Sequence, residues 1–238
     1  PLTIGTYTIG TSEGIYNADF NTETGEISGL ELLAKVEEPT FLALSKNKEK
    51  VYAVSEMDNG KLSVFNRQKD GSYELIQEIA TEGSTTVHVA LSQDESLVSV
   101  ANYRLGSITV YRLDADKLSR ITSFKHTGSS VHFRQKVPHP HSTYFSQDER
   151  YIYVPDEIIS YPIIDGMPTV GKVAIKMSPG DGPRHMAAHP TRNLWYVVGE
   201  ISSVVWTLLP KADGTFEVID KQNLLPEGIK GRSTAADI

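Results

Sequence analysis

A strand–turn–strand unit that recurs four times, short β-branched and aromatic runs, and polar turns of the Asp-Gly type together predict an all-β fold, a β-propeller of four-stranded antiparallel blades. The unit occupies Phe41 to Glu56, Val87 to Tyr103, His141 to Glu157 and Arg184 to Glu200. Aligning Ser45, Ser92, Ser146 and His189 gives spacings of 47, 54 and 43 residues, close to the period of roughly 40 to 50 that propeller blades share with some helical repeats. Local pattern separates the two. Runs such as Leu62-Ser-Val-Phe65 and Ile108-Thr-Val-Tyr111 are broken by Gly, Asn and Asp turns, and no long helical stripe occurs.

In chain order, Thr3 to Thr8, Ser12 to Tyr16 and the Asn21-to-Gly25 turn match the second half of a unit, so residues 1–36 read as a partial blade. Four whole blades follow at 37–83, 84–132, 133–179 and 180–229, with outer turns at Asp70-Gly71, Asp116-Lys117 and Asp213-Gly214. Residues 230–238, ending in Ala235-Ala-Asp-Ile238, read as the opening strand of another blade. A single propeller domain is therefore expected over 1–238. Its open ends would leave strand edges unpaired, which points to a fragment of a longer closed ring. The blade at 133–179 is also short: Asp156 to Tyr161 spans five residues where Ser55 to Phe65 spans ten and Asn102 to Tyr111 nine. A hairpin that loses four residues should lose its turn, so residues are expected to be missing from the sequence near Glu157.

Composition narrows the function classes. The 238 residues include no Cys, which excludes disulfide frameworks, thiolate nucleophiles and Cys-ligated metals and makes a cytoplasmic setting the expectation. Lys and Arg total 23 against 30 Asp and Glu, a formal charge of −7, with no basic stripe; no nucleic-acid partner is expected. No run approaches the roughly 18 apolar residues of a spanning helix, and Pro1 to Gly10 lacks the basic start and apolar core of a signal peptide, so no membrane partner is expected either.

The residues with chemical potential gather at two repeat openings, Arg134-Gln-Lys-Val-Pro-His-Pro-His141 and Gly180-Asp-Gly-Pro-Arg-His185. Inner strands and the loops before them converge on a propeller's axis, so equivalent positions of different units can meet. Arg134, Gln135, His139, His141, Arg184, His185 and Glu200 would then surround one cavity with a carboxylate, imidazoles and guanidiniums. That set can bind a carboxylated or phosphorylated sugar and activate water against a carbonyl. Asn102 and Tyr103 are expected to line the same axis. Plainer readings stand beside these. Pro-His-Pro-His is also a rigid turn, Gly180 to Arg184 is also a loop needing positive φ, and Glu200 shares its repeat position with Glu56 and Glu157. No third ligand at a recognisable spacing joins His139 and His141, so neither metal nor cofactor is expected. Ser92 and Ser146 lie in Ser-Gln-Asp-Glu turns with no Gly-x-Ser-x-Gly elbow, which is turn chemistry rather than a nucleophile. His88, His126 and His132 carry no signal of their own.

Gly5-Thr-Tyr-Thr, Ser12-Glu-Gly-Ile-Tyr16, Pro39-Thr-Phe-Leu-Ala43, Val100-Ala-Asn-Tyr103, Arg134-Gln135 with Pro138-His-Pro-His141, Tyr153-Val-Pro-Asp156 and Gly182-Pro-Arg-His185, in this order, resemble the lactonase family of seven-bladed propellers. The resemblance runs the length of the chain. It implies a closed seven-bladed ring, with nearly two blades beyond Ile238, and a central site that hydrolyses 6-phosphoglucono-1,5-lactone in the pentose phosphate pathway. The family also holds a fungal carboxy-cis,cis-muconate cyclase, whose proposed active-site His, Arg and Glu correspond to His141, Arg184 and Glu200; a further Arg would fall outside this sequence. The resemblance thus implies His141, Arg184 and Glu200 as catalytic. Arg134, Gln135, His139, His185 and Asn102 are expected to bind an anionic sugar lactone. A cycloisomerase and a non-catalytic interaction scaffold are the alternatives.

Overall fold

The middle strands of the repeat are apolar on both faces because each blade is sandwiched between two others. In the computed structural model, which describes residues 1–229 and 233–238, the strands form five antiparallel sheets. The first contains β1 (Leu2–Ile4), β2 (Gly14–Phe20) and β3 (Ile27–Lys35). The second contains β4 (Pro39–Leu44), β5 (Lys50–Ser55), β6 (Lys61–Arg67) and β7 (Tyr73–Ala80). The third contains β8 (Thr86–Leu91), β9 (Leu97–Asn102), β10 (Ser107–Asp114) and β11 (Lys117–Lys125). The fourth is built from β12 (Tyr144–Phe145), β13 (Tyr151–Val154), β14 (Ile159–Ile164), β15 (Met167–Pro168) and β16 (Lys172–Val173). The fifth contains β17 (Pro183–Ala188), β18 (Trp195–Gly199), β19 (Val204–Pro210) and β20 (Phe216–Asn223). Strand order follows chain order, as in a propeller of meandering blades, except that β16 pairs with β14 alongside β15.

Successive side chains of a strand face opposite ways, and the core follows that rule. Val51 and Ala53 of β5 pack with Ile15 and Ala34 of the first sheet, whereas Tyr52 and Val54 pack with Val89, Val98 and Val100 of the third. Leu97, Ile108 and Val110 then meet Ile152 and Val154, and Tyr153 faces Trp195, Val197 and Phe216. Four cores thus lie between consecutive sheets. Each fully buried aliphatic side chain in them contributes roughly 1.5–3 kcal/mol.

The turn after each inner strand is a repeated device. Ser45, Ser92 and Ser146 Oγ accept from the N–H of Lys50, Leu97 and Tyr151 at 2.9, 2.9 and 3.0 Å, and each donates to Asn47, Asp94 or Asp148 Oδ1 at 2.7 Å. In the fifth sheet His189 Nδ1 takes the accepting role, from Thr191 and Arg192 N–H at 3.1 and 3.0 Å. Glu95 and Glu149, from these turns, bond the backbone N–H of Lys46 and Gln93 in the preceding turn, which links neighbouring blades at this end.

The short hairpin, near which residues were expected to be missing, keeps a turn and has shortened strands. The last pair is Ser55–Lys61 in the second sheet and Asn102–Ser107 in the third, but Val154–Ile159 in the fourth. Two residues are gone from each strand and a four-residue turn, 155–158, remains. Ile158 closes it at φ 41, a left-handed conformation strained for a β-branched residue, while its side chain is fully buried. The opening strand expected over 230–238 begins at residues 230–232, which lie outside the described residues. Ser233 to Ile238 carries no strand, and Ala235 N–H donates to Glu200 O at 3.1 Å.

Candidate active site

The candidate residues sit at the end of the blades opposite the serine turns, where the hairpins between second and third strands meet the segments entering the inner strands. The residue eleven places beyond each aligned turn residue lies at such a hairpin: Glu56, Tyr103, Glu157 and Glu200. Glu56, Tyr103 and Glu200 are tied to the entering segment by one recurring bond. Their N–H groups donate to Glu38, Thr85 and Gly182 O at 3.0, 2.9 and 2.8 Å. All three acceptor residues have a left-handed backbone, φ 47, 61 and 64, and glycine at 182 adopts it without a steric cost. The Gly182 segment is fixed further by buried Asp181, which accepts from Trp206 Nε1 at 2.9 Å and from Lys221 Nζ at 3.0 Å.

Glu200 is the point of convergence. Arg134 Nη2 lies 2.7 Å from Oε1; Arg184 Nε and His141 Nε2 lie 3.5 and 3.8 Å from Oε2. The partners arrive from two segments, Arg134 and His141 from the connection between β11 and β12 and Arg184 from β17. Arg134 is on a 3-10 turn, Phe133–Gln135, whose entry is capped by His132 Nδ1 accepting from Arg134 N–H at 3.3 Å. His141 follows two prolines at the start of the fourth sheet, and Arg184 is the second residue of β17. The Glu200 carboxylate, only 15% exposed, holds the Arg134 guanidinium firmly protonated. Burial, then Arg184 and the neighbouring His185, push His141 down to about 3, so the imidazole is neutral at pH 7.

Tyr103 and His139 form the adjacent wall. Their rings stack at 4.3 Å, His139 Nδ1 lies 3.1 Å from Tyr103 O, and the Tyr103 ring is also 4.5 Å from His141. Gln135 lines the same small cleft, of about 40 Å³, and also a groove of about 420 Å³ next to it. His185 is placed deeper. It packs 5.6 Å from His88 and 6.0 Å from Phe41, and its Nδ1 lies 2.6 Å from Asp237 Oδ1. Burial outweighs that carboxylate and holds His185 below its ordinary value; His88, wholly enclosed, lies further below.

Asn102 does not join the cluster. Its Oδ1 accepts from Thr86 Oγ1 at 2.8 Å and its Nδ2 donates to Ser107 and Thr109 Oγ atoms at 3.3 and 3.2 Å, so the amide is spent inside its own sheet. Tyr103, its neighbour, faces the cleft instead. Sequence reasoning gave no weight to His88, whose partners come from three other sheets, or to Asp156, which lines the cleft from the shortened hairpin. The nearest available signal was the alignment of Phe41, His88 and His185, each four residues before its aligned turn residue.

The profile of the family described as "Lactonase, 7-bladed beta-propeller" matches residues 1–238. The chain belongs to the lactonase family. A 6-phosphogluconolactonase of Bacillus subtilis (strain 168) is 31% identical to this lactonase over 245 residues, covering 99% of the chain and 70% of that protein. Another protein of that name, from Formosa agariphila, is 29% identical over 81% of the chain and 59% of its own length. Among solved structures, the periplasmic gluconolactonase PpgL of Pseudomonas aeruginosa has a TM-score of 0.89 at 25% identity, over 98% of the chain and 70% of that protein. The lactonase is an enzyme of the carboxylic-ester hydrolase class. No helix among its described residues is long and apolar enough to cross a membrane.

Proposed function

We propose that this lactonase hydrolyses 6-phosphoglucono-1,5-lactone to 6-phosphogluconate. The observation that carries the reading is the convergence of two guanidiniums and a neutral imidazole on one partly buried carboxylate, Glu200, from the β11–β12 connection and from β17. His141 is the base that takes a proton from water, since neutrality leaves its ring nitrogen free to accept. Glu200 steadies the imidazolium that forms. Arg184 donates to the carbonyl oxygen as it becomes an oxyanion, and the lactone C–O bond breaks after water adds. Arg134 leaves Glu200 for the substrate phosphate, which opens the small cleft and relieves the cationic pressure on His141. A phosphorylated sugar crosses bilayers poorly, so this substrate fits a cytoplasmic site of action.

The names of the relatives support a sugar lactone, and the paired arginines in a chain of net charge −7 support an anionic one. Hydrolysis of freshly made 6-phosphogluconolactone, measured above its spontaneous background with a muconolactone control, tests the reading. Arg184→Ala is expected to lower kcat/KM by roughly 10²- to 10³-fold, the usual loss for an oxyanion donor. Unchanged activity in that variant overturns the assignment.

A further inference from the structure

His126 is a buried imidazole that the proposed reaction does not use. Its side chain is excluded from solvent, and it stands between two other groups: Nδ1 is 3.2 Å from Asp156 Oδ2, and Nε2 is 2.8 Å from Tyr161 Oη. One tautomer satisfies all three. The Tyr161 hydroxyl donates to Nε2, and Nδ1–H donates to the carboxylate. Burial raises the Tyr161 phenol, so it stays a donor. The chain of bonds runs from the core between the third and fourth sheets out to Asp156, in the turn of the shortened hairpin.

Asp156 is the end a ligand can meet. It lines both the cleft that holds His141 and Glu200 and the neighbouring groove. Oδ1 has no hydrogen-bond partner among the described residues, since the bond to His126 uses Oδ2. Gln135 lines the same two cavities, and its Oε1 is buried without a partner. A buried unpartnered acceptor such as Gln135 Oε1 is costly until a donor arrives, and Asp156 Oδ1 stands open to the same donor. Alcohols supply that donor, and a carboxylate facing the passage keeps a phosphate away from this end.

We propose that Asp156 and Gln135 form a hydroxyl-binding subsite for polyhydroxylated lactones, with His126 and Tyr161 as positioning residues that fix the Asp156 carboxylate. The ring hydroxyls of the lactone face Asp156 and Gln135, and the phosphate points to Arg134. This rests on the proposed function for the location of the reacting carbonyl.

The test compares glucono-1,5-lactone with δ-valerolactone, which has the ring and no hydroxyls, alongside calorimetric binding of 1,5-anhydroglucitol 6-phosphate, which cannot be hydrolysed. In Asp156→Asn the ratio of kcat/KM for the hydroxylated lactone to that for the bare one is expected to fall about tenfold, and the Kd of the anhydroglucitol to rise about tenfold. Tyr161→Phe is expected to lower the same ratio about threefold, which a merely structural role would leave unmoved. Both lactones falling together, or an unchanged ratio, overturns the subsite. If the wild type hydrolyses neither of these lactones, calorimetry alone decides the subsite by whether Asp156→Asn weakens binding, and the proposed function fails only if 6-phosphogluconolactone is not hydrolysed either. Should Asp156→Asn fail to fold, Gln135→Leu gives the same readings, because its Oε1 makes no internal bond.

Discussion

Glu56 and Glu200 occupy the same place in their repeats and are held by the same backbone bond, yet they face different surroundings. Glu56 accepts one hydrogen bond, from the Tyr7 hydroxyl at 2.7 Å, and through it pushes that phenol up to about 12. Glu200 has two guanidiniums and an imidazole. The difference has two sources. The segment between β11 and β12 carries Arg134 and His141 to Glu200, and Arg184 is the second residue of β17, where the second sheet has Thr40 at the second residue of β4. The repeat therefore supplies a scaffold position, and the departures from it supply the chemistry.

The comparison breaks most directly by exchanging the carboxylates for amides. Glu200→Gln is expected to lower lactone kcat/KM by about 10²- to 10³-fold, within the range for losing part of a base or charge-stabilising unit, whereas Glu56→Gln should stay within about threefold. Equal losses in steady-state assays would mean that the two positions are not functionally distinct.

Acid stability sharpens it next. His88, His141 and His185 are all held below their ordinary values in the folded protein, mainly by burial. Below about pH 6.5 the unfolded chain binds protons at these sites and the folded one does not, so stability falls as pH falls, by up to about 1.4 kcal/mol per pH unit for each imidazole. Denaturant titrations between pH 7 and pH 5 should show this, and His88→Phe should flatten the slope. The second arginine gives a smaller effect. Arg134→Met should raise KM about tenfold for the phosphorylated lactone and much less for gluconolactone, as kinetics on the two substrates will tell.

The smallest effect concerns the left-handed residues beneath these side chains. An alanine Cβ at Gly182 would lie 2.9 Å from Ile201 at φ 64, so Gly182→Ala should destabilise by about 1 kcal/mol, a fall of roughly 2–4 °C in Tm. Thr85→Gly, at the matching position, relieves a β-branched residue at φ 61 and should leave Tm unchanged or higher.

Much of this was legible in the sequence, for identifiable reasons. Short β-branched and aromatic runs recur at the blade spacing, with Ser-x-Asx turns in three blades, so the all-β propeller could be read from spacing and local pattern together. Arg184, His141 and Glu200 were grouped because the repeat register fixes which end of a blade each occupies. Of Asn102 and Tyr103, both expected on the axis, Tyr103 lines the cleft, while Asn102, the last residue of β9, spends its amide on neighbours that spacing alone does not reveal. The shortness of the fourth blade's hairpin was legible from spacing, but not its pairing, in which each strand is two residues shorter and a turn remains. His88 and His126 gave no signal because their partners, Phe41 and Tyr144 for one and Asp156 and Tyr161 for the other, belong to other blades.

The carboxylates of Glu95 and Glu149 have a mechanical consequence. By clasping the preceding turn they tie neighbouring blades together at the end of the strands far from the cleft. The cleft draws its residues from more than one blade, so contacts between blades keep those residues in one frame, and side chains that never meet a substrate share in keeping the site assembled.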